Sequence, residues 1–180
     1  LKSYSLDFIP QILYFPETDS TNIQAKKAAK EGCPDFTMLV ADAQTLGKGR
    51  LGRSFASPCG VGIFMTLLLR PVLSPLKASM ITLVAAYSVA TVIRNTTGLD
   101  AKIKWPNDIV VGKKKVCGIL TEMSMERDYI HHVVVGIGIN VNEENYPAEL
   151  EKMATSLKKE MGSIVIRANL LCDILSQFEK

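Results

Sequence analysis

The sequence predicts an α+β domain, a mainly antiparallel or mixed central sheet with helices packed on one side. Three observations predict it. Between Ala101 and Ile139, extended segments follow one another through tight turns, and strands joined that way are antiparallel neighbours. A long stretch from Ser74 to about Asn95 carries its apolar residues at helical spacing, and the tail is helical again. At 180 residues, with 47% hydrophobic and 22% charged content, one domain with a real core is the natural size.

The elements follow in order. Ile12 to Phe15 is a short apolar run and reads as a strand. Asp19-Ser20-Thr21 supplies helix N-cap chemistry before N-I-Q-A-K-K-A-A-K, which ends at Gly32. Thr37 to Ala41 reads as a buried strand that feeds a glycine-rich loop, and I-F-M-T-L-L-L after the loop is another strand. Pro75 sits at the first turn of the long helix, which stops near Gly98. Ala101–Lys104 and Ile109–Val111 are strand pieces around Pro106, a residue excluded from helix interiors. Gly112-Lys113 fits a hairpin turn before K-V-C-G-I-L-T-E-M, and His131 to Ile139 is a further strand. Helices are expected over Ala154–Met161 and from Ile166 or Arg167 to Lys180.

Composition sets outer limits. A net charge of +3 allows an anionic ligand without demanding a nucleic acid. Cys33, Cys59, Cys117 and Cys172 lie far apart and form no C-x-x-C pair, so neither zinc nor a disulfide framework is expected. Reduced thiols in a cytoplasmic protein are the plain reading. The apolar stretch Ile81–Ile93 is interrupted by Thr82, Tyr87, Ser88 and Thr91, and no membrane partner or signal peptide is expected.

The stretch with the most chemistry is Gln44–Phe55, Q-T-L-G-K-G-R-L-G-R-S-F. Gly47, Gly49 and Gly52 alternate with Lys48, Arg50 and Arg53 within seven residues. Glycines let backbone approach a ligand, and the cations supply charge for phosphate or carboxylate. Gly47–Gly52 also spells G-x-G-x-x-G, but a dinucleotide site needs a helix after it and an acidic residue about 20 positions on. Pro58, Gly60 and Gly62 break that stretch, and Arg70 stands where the acid is wanted. Kinase and P-loop patterns are absent too. A solvated basic loop or an RNA-binding loop is the bland alternative, and a small-molecule anion fits the low overall charge better.

Three later stretches add to it. In K-W-P-N-D (104–108), Asn107 and Asp108 offer hard oxygens beside Lys104, although for this stretch taken alone a Pro-Asn-Asp turn is the better explanation. In K-V-C-G-I-L-T-E (115–122), Lys115 stands three residues before Gly118 on a strand, so backbone can approach a ligand beside an ammonium. In G-I-G-I-N-V-N (136–142), glycines at a strand end precede the amide of Asn140. His131 and His132 read as surface histidines.

These four stretches, in this order, resemble the catalytic domain of biotin protein ligases, and the resemblance covers roughly residues 12 to 180. It implies the fold shared with class II aminoacyl-tRNA synthetases and lipoate ligases. The activity it implies is activation of biotin by ATP and Mg²⁺ to biotinyl-5′-AMP, then transfer to a lysine of a biotin carboxyl carrier protein domain in acetyl-CoA carboxylase or a related carboxylase. The biotin site it implies is Ser20, Thr21, Gln44, Gly47, Lys48, Arg50, Lys115 and Gly118, with Arg50 and Lys115 catalytic. It places Arg50, Arg53, Lys104, Trp105, Asn107 and Asn140 at ATP, and Asn107 and Asp108 at the metal. Lys48 stands where many members have arginine, and Phe55 where many have tryptophan. Residues 1–180 read as a single catalytic domain, with no winged helix before it, no DNA binding expected, and the family's small C-terminal β-barrel absent or truncated. A homodimer stays open. The alternatives are a related lipoate or octanoate ligase, or a truncated, non-catalytic biotin or nucleotide binder.

Overall fold

In a computed structural model, which describes residues 4–127 and 129–180, the chain starts with β1 (Ile12–Thr18), α1 (Thr21–Lys30), β2 (Thr37–Gln44), β3 (Gly62–Leu69) and α2 (Pro75–Thr97). β4 (Ala101–Lys104), β5 (Asp108–Val111), β6 (Lys114–Glu126) and β7 (Tyr129–Asn140) follow, then α3 (Ala148–Glu151), α4 (Leu157–Met161) and α5 (Arg167–Glu179). The strands form one seven-stranded sheet in the order β1-β2-β3-β7-β6-β5-β4. The α1 crossover makes β1 and β2 parallel, and the other neighbours pair antiparallel. The sheet is therefore mixed, as the sequence predicts.

Strand alternation sorts the apolar residues onto two faces. Met38, Leu67, Val133 and Val135 point to one core with Ala86, Val89 and Ile93 of α2 and Ile174 of α5. Leu39, Leu68 and Val134 point the other way, to a smaller core with Ala25, Ala28 and Ala29 of α1. The two long helices lie on one side of the sheet as expected, while α1 covers part of the opposite side. The reason is compositional: α1 is amphipathic through small alanines and can bury only a narrow stripe. Most of that opposite face is left open, and the functional residues collect there.

Several local features agree with the sequence and one departs from it. Pro75 lies in the first turn of α2, and Gly98 ends it in the left-handed conformation at φ 72. α2 (Pro75–Thr97) matches the helix expected from Ser74 to about Asn95. By length and composition it could cross a membrane, but half of its apolar window is packed inside this fold. Arg70 closes the end of α1, its guanidinium donating to Ala29 O at 3.0 Å and Cys33 O at 3.1 Å. The four cysteines are unpaired. His131 is exposed beside Glu126, whereas His132 is buried, because it alternates onto the α1 face next to Val134.

Arg167 ties α5 to the sheet, donating to Asp42 Oδ1 at 2.6 Å and to Gly62 O at 2.9 Å. The Cys59 thiol and the Arg167 guanidinium hydrogen-bond the Asp42 carboxylate and hold it below the ordinary aspartate value of 3.8. A carboxylate lowered in this way contributes stability above its ordinary value, and that contribution is lost as pH falls through the lowered one. The Asp42→Asn variant is therefore expected to lose less stability between about pH 6 and pH 3 than the parent chain, as measured by urea unfolding at both ends. Ile93, fully buried between α2 and the sheet, tests the larger core. Ile93→Ala is expected to cost about 2–5 kcal/mol of unfolding free energy.

Candidate active site

The centre of the open face is bare of side chains. Gly118 on β6 pairs directly with Gly138 on β7, and Gly136 follows one alternation later. A Cβ on Gly138 would meet the Phe55 ring at 2.7 Å, and one on Gly118 would meet Lys115 Nζ at 2.7 Å. A Cβ on Gly136 would collide with the Asn22 side-chain oxygen. The glycines thus give room to Phe55 from the loop and Asn22 from α1. Phe55 lies over the Gly118–Gly138 pair with its ring edge-on to Phe64, centroids 6.4 Å apart.

The glycine loop is a self-bonded hairpin. Gln44 bridges to Ser57 and Lys48 to Ser54, and Phe55 N–H donates to Gly47 O at 2.8 Å. Gly47 packs under the Phe55 carbonyl, where no side chain would fit. Arg50–Gly52 forms a short turn that holds Leu51 at φ 57, a conformation an L-residue seldom adopts, with the side chain out in solvent. The turn aims Arg50 across the cleft. Its guanidinium donates to Asn107 Oδ1 at 3.1 Å, and the Asn107 amide in turn donates to Ile119 O at 2.8 Å.

Lys115 reaches this face through a β-bulge. On a regular strand, residues three apart face opposite ways, so Lys115 and Gly118 could not share a site. The β5–β6 register shifts, with Ile109 opposite Cys117 and Val110 opposite Lys115, which leaves Val116 as the extra residue. Val116 and Cys117 both enter the larger core, and Lys115 turns to the open face. Its backbone is held by the 153–155 segment, donating to Met153 O at 2.8 Å and accepting from Thr155 N–H at 2.9 Å. The Lys115 ammonium sits 2.7 Å from Asp108 Oδ1 and 5.7 Å from the Phe55 ring centroid. Burial pushes the neighbouring Cys117 thiol far up, so that sulfur stays a neutral part of the core.

The other end of the cleft is neutral and hydrogen-bonding. Ser20 occupies the N-cap position of α1, yet its hydroxyl makes no capping bond and opens on the pocket. Thr21 N–H donates to Gln44 Oε1 at 2.8 Å, and Gln44 Nε2 donates to Ser57 Oγ at 2.9 Å. Beneath them, Asn22 bonds Thr66, Leu120 O and Glu122. Burial opposes charge on Glu122, but hydrogen bonds from Lys26 and Asn22, together with the charges of Lys26 and Lys48, outweigh it and hold the carboxyl below its ordinary value.

One pocket thus joins Ser20, Thr21, Gln44, Lys48, Arg50, Asn107, Lys115 and Gly118. An adjoining cleft of about 720 Å³, of small-molecule size, adds Arg53, Lys104, Asp108 and Asn140 and is rimmed by Lys113 and Lys152. The Asn140 amide donates to Thr155 O at 3.1 Å, so its nitrogen is committed and its oxygen is left for a ligand. Trp105 is 78% exposed and lines a groove against α2 that shares Arg50, Asn107, Ile119 and Leu120 with the pocket. Among the described residues no group of three His, Cys, Asp or Glu could hold a metal, and Asp108 is engaged by Lys115. Sequence reasoning missed Asn22, Thr66 and Glu122. The signal for Asn22 was available: a polar residue in the first turn of an alanine-lined helix, directly after two others.

A family model described as the biotin/lipoate A/B protein ligase family matches residues 14–140. The bifunctional ligase/repressor BirA of Bacillus subtilis is 42% identical over 171 residues, which are 94% of this chain and 53% of that protein. The biotin–[acetyl-CoA-carboxylase] ligase of Paracoccus denitrificans is 37% identical over 153 residues, 82% of this chain and 63% of that protein. The chain therefore spans about half to two thirds of the length of these relatives. Among solved structures, the biotin protein ligase from Aquifex aeolicus in complex with biotin and ATP matches with a TM-score of 0.81 at 34% identity, covering 95% of this chain and 69% of that one. With the model match running from the first strand through the last, the chain belongs to the biotin/lipoate A/B protein ligase family.

Proposed function

We propose that this chain carries the catalytic unit of an ATP-dependent biotin ligase, which activates biotin as biotinyl-5′-AMP and transfers it to a lysine of a carboxylase's carrier domain. One observation carries the reading. A single pocket runs from the neutral groups Ser20, Thr21 and Gln44 to the cations Lys48, Arg50 and Lys115. That gradient suits a ligand with a neutral polar ring at one end and a carboxylate at the other. The names of the relatives and the biotin and ATP bound in the Aquifex aeolicus ligase support the same choice.

In the first step a biotin carboxylate oxygen bonds to the α-phosphorus of ATP, the bond to the β-phosphate oxygen breaks, and pyrophosphate leaves. Two anions must meet, so charge stabilisation is the main requirement. Lys115 supplies it by exchanging Asp108 for the reacting oxygens, and Arg50 by leaving its Asn107 contact for the phosphate. Arg53, Lys104 and Asn140 line the cleft in which the rest of the nucleotide would lie. Asn107 and Asp108 are the protein oxygens that would hold a Mg²⁺ bound with the triphosphate, where it would neutralise phosphate charge. In the second step the free amine of the acceptor lysine attacks the acyl carbon, an amide forms, and AMP leaves. The loop hairpin closes over the mixed anhydride and keeps water from it. Four free thiols fit a reducing, cytoplasmic setting.

The reading is tested by pyrophosphate release in the presence of ATP and Mg²⁺. Biotin is expected to stimulate release, and release stimulated by lipoate or octanoate but not by biotin would sink the proposal. In the same assay Lys115→Met is expected to lower kcat/KM for biotin by about 10²–10³-fold. Its thermal unfolding should be close to that of the parent chain, because the Lys115 side chain is one-third exposed.

A further inference from the structure

A second opening leads into the central pocket from the α2 side of the sheet. β5 pairs with β6 only as far as Gly118, so residues 119–126 of β6 have no strand neighbour on that edge among the described residues. The vacancy leaves a groove of about 480 Å³ between β6, the start of α2 and the 105–107 turn. Ile119, Thr121 and Met123 alternate towards α2, and the Thr82 hydroxyl donates to Thr121 Oγ1 at 2.8 Å. At its inner end the groove reaches Arg50 and Asn107, which also line the central pocket. The surface around it is apolar. Trp105 is 78% exposed, Leu83 43% and Met123 39%, and Leu76 and Met80 continue the patch along α2 at helical spacing. Among the described residues no carboxylate lines the groove. Single exposed apolar residues are ordinary, but a contiguous patch that runs into a reactive pocket marks a binding surface. Tryptophan and methionine are residues enriched at the centres of protein interfaces.

The occupant follows from the reaction. On the biotin-ligase reading, the basic cleft with Arg53, Lys104 and Asn140 holds AMP through the second step, so that side is filled. The cleft beneath the loop tip, between Leu51 and Leu120, is shut by the loop closure that protects the anhydride. The α2-side groove stays open and reaches the same centre. Its one cation, Arg50, is neutralised there by the adenylate phosphate. The attacking amine must be neutral, and apolar walls without a carboxylate favour that form, because desolvation and nearby cations weaken a lysine's hold on its proton. We infer that the groove between β6, α2 and Trp105 is the entry path of the acceptor lysine, and that Trp105, Leu83 and Met123 seat the carrier domain that bears it. The inference rests on the biotin-ligase reading and adds the side from which the protein partner approaches. It also assigns Trp105 to the acceptor, where the motif order suggests the nucleotide.

The test separates the two half-reactions. With biotin, ATP and Mg²⁺ present, the adenylate is passed either to hydroxylamine, which is small enough to need no docking, or to the biotin carboxyl carrier domain of an acetyl-CoA carboxylase. Leu83→Arg and Met123→Arg each put a cation on the exposed part of the groove. Biotin-dependent pyrophosphate release and hydroxamate formation are expected to stay within about twofold of the parent, while kcat/KM for the carrier domain falls about 10-fold or more. Trp105→Ala should lower the ratio of carrier transfer to hydroxamate formation by a similar factor, and Trp105→Phe by less. Leu83→Met, which stays apolar, should transfer to the carrier domain like the parent. Equal loss of both transfers in the two arginine variants, or no loss of carrier transfer, overturns the inference and leaves the biotin reading intact. So does a parent that self-associates in sedimentation and loses only that self-association in Leu83→Arg, which would give the groove to a second copy. Adenylate that hydroxylamine traps but the carrier domain never receives counts against the inference as well. A parent that releases no pyrophosphate with biotin overturns both.

Discussion

The site depends on a strip of sheet from which side chains are missing. Sheet faces are ordinarily covered by the side chains that alternate onto them, and a flat apolar surface would demand a helix. Here the Gly118–Gly138 pair and Gly136 leave a groove one residue deep across β6 and β7. The loop fills part of it with Phe55, and α1 fills another part with Asn22. Because neither plug is a strand neighbour, both can be placed by elements that are otherwise free to vary. The larger core on the opposite side, with α2 and α5, holds the sheet while this face gives up its packing.

Charge is arranged around the groove in matched pairs. Lys115 faces Asp108, Arg50 faces the Asn107 oxygen, and Lys26 faces Glu122. Lys115 and Arg50 each have a partner that they can exchange for a ligand oxygen. Such an arrangement lowers the desolvation penalty of the empty site without committing the charges permanently. Lys26 and Glu122, by contrast, pair with each other while Glu122 also accepts from Asn22.

Much of this was legible in the chain. The hairpin-linked strands from Ala101 to Asn140 are read directly from turn residues and alternation, and α2 from its proline start and glycine stop. The motif residues Ser20, Thr21, Gln44, Arg50, Lys115 and Gly118 do meet in one pocket. What was illegible depends on three-dimensional parity and on long-range pairing. A cap-like Ser20-Thr21 looks the same whether it closes a helix or faces a ligand, and only the contact with Gln44, 23 residues on, separates the two. The side of the sheet taken by α1 follows from the handedness of its crossover between parallel β1 and β2, which no local pattern shows. Trp105 lies outside the cleft that holds Lys104 and lines a groove shared with Arg50 and Asn107, and the order K-W-P-N-D does not tell which side of the turn each residue takes.

The bulge at Val116 has a consequence for how this stretch can change. The identities of Val116 and Cys117 matter little beyond being small enough and apolar, since both simply enter the core. Their number matters a great deal. One more residue between Lys115 and Gly118, accommodated within the strand, would rotate the ammonium towards α2 or force the 153–155 segment off the Lys115 backbone. The segment should therefore tolerate substitution and resist insertion or deletion, the reverse of an ordinary surface hairpin. A count of residues, more than their kinds, is what this strand transmits from gene to site.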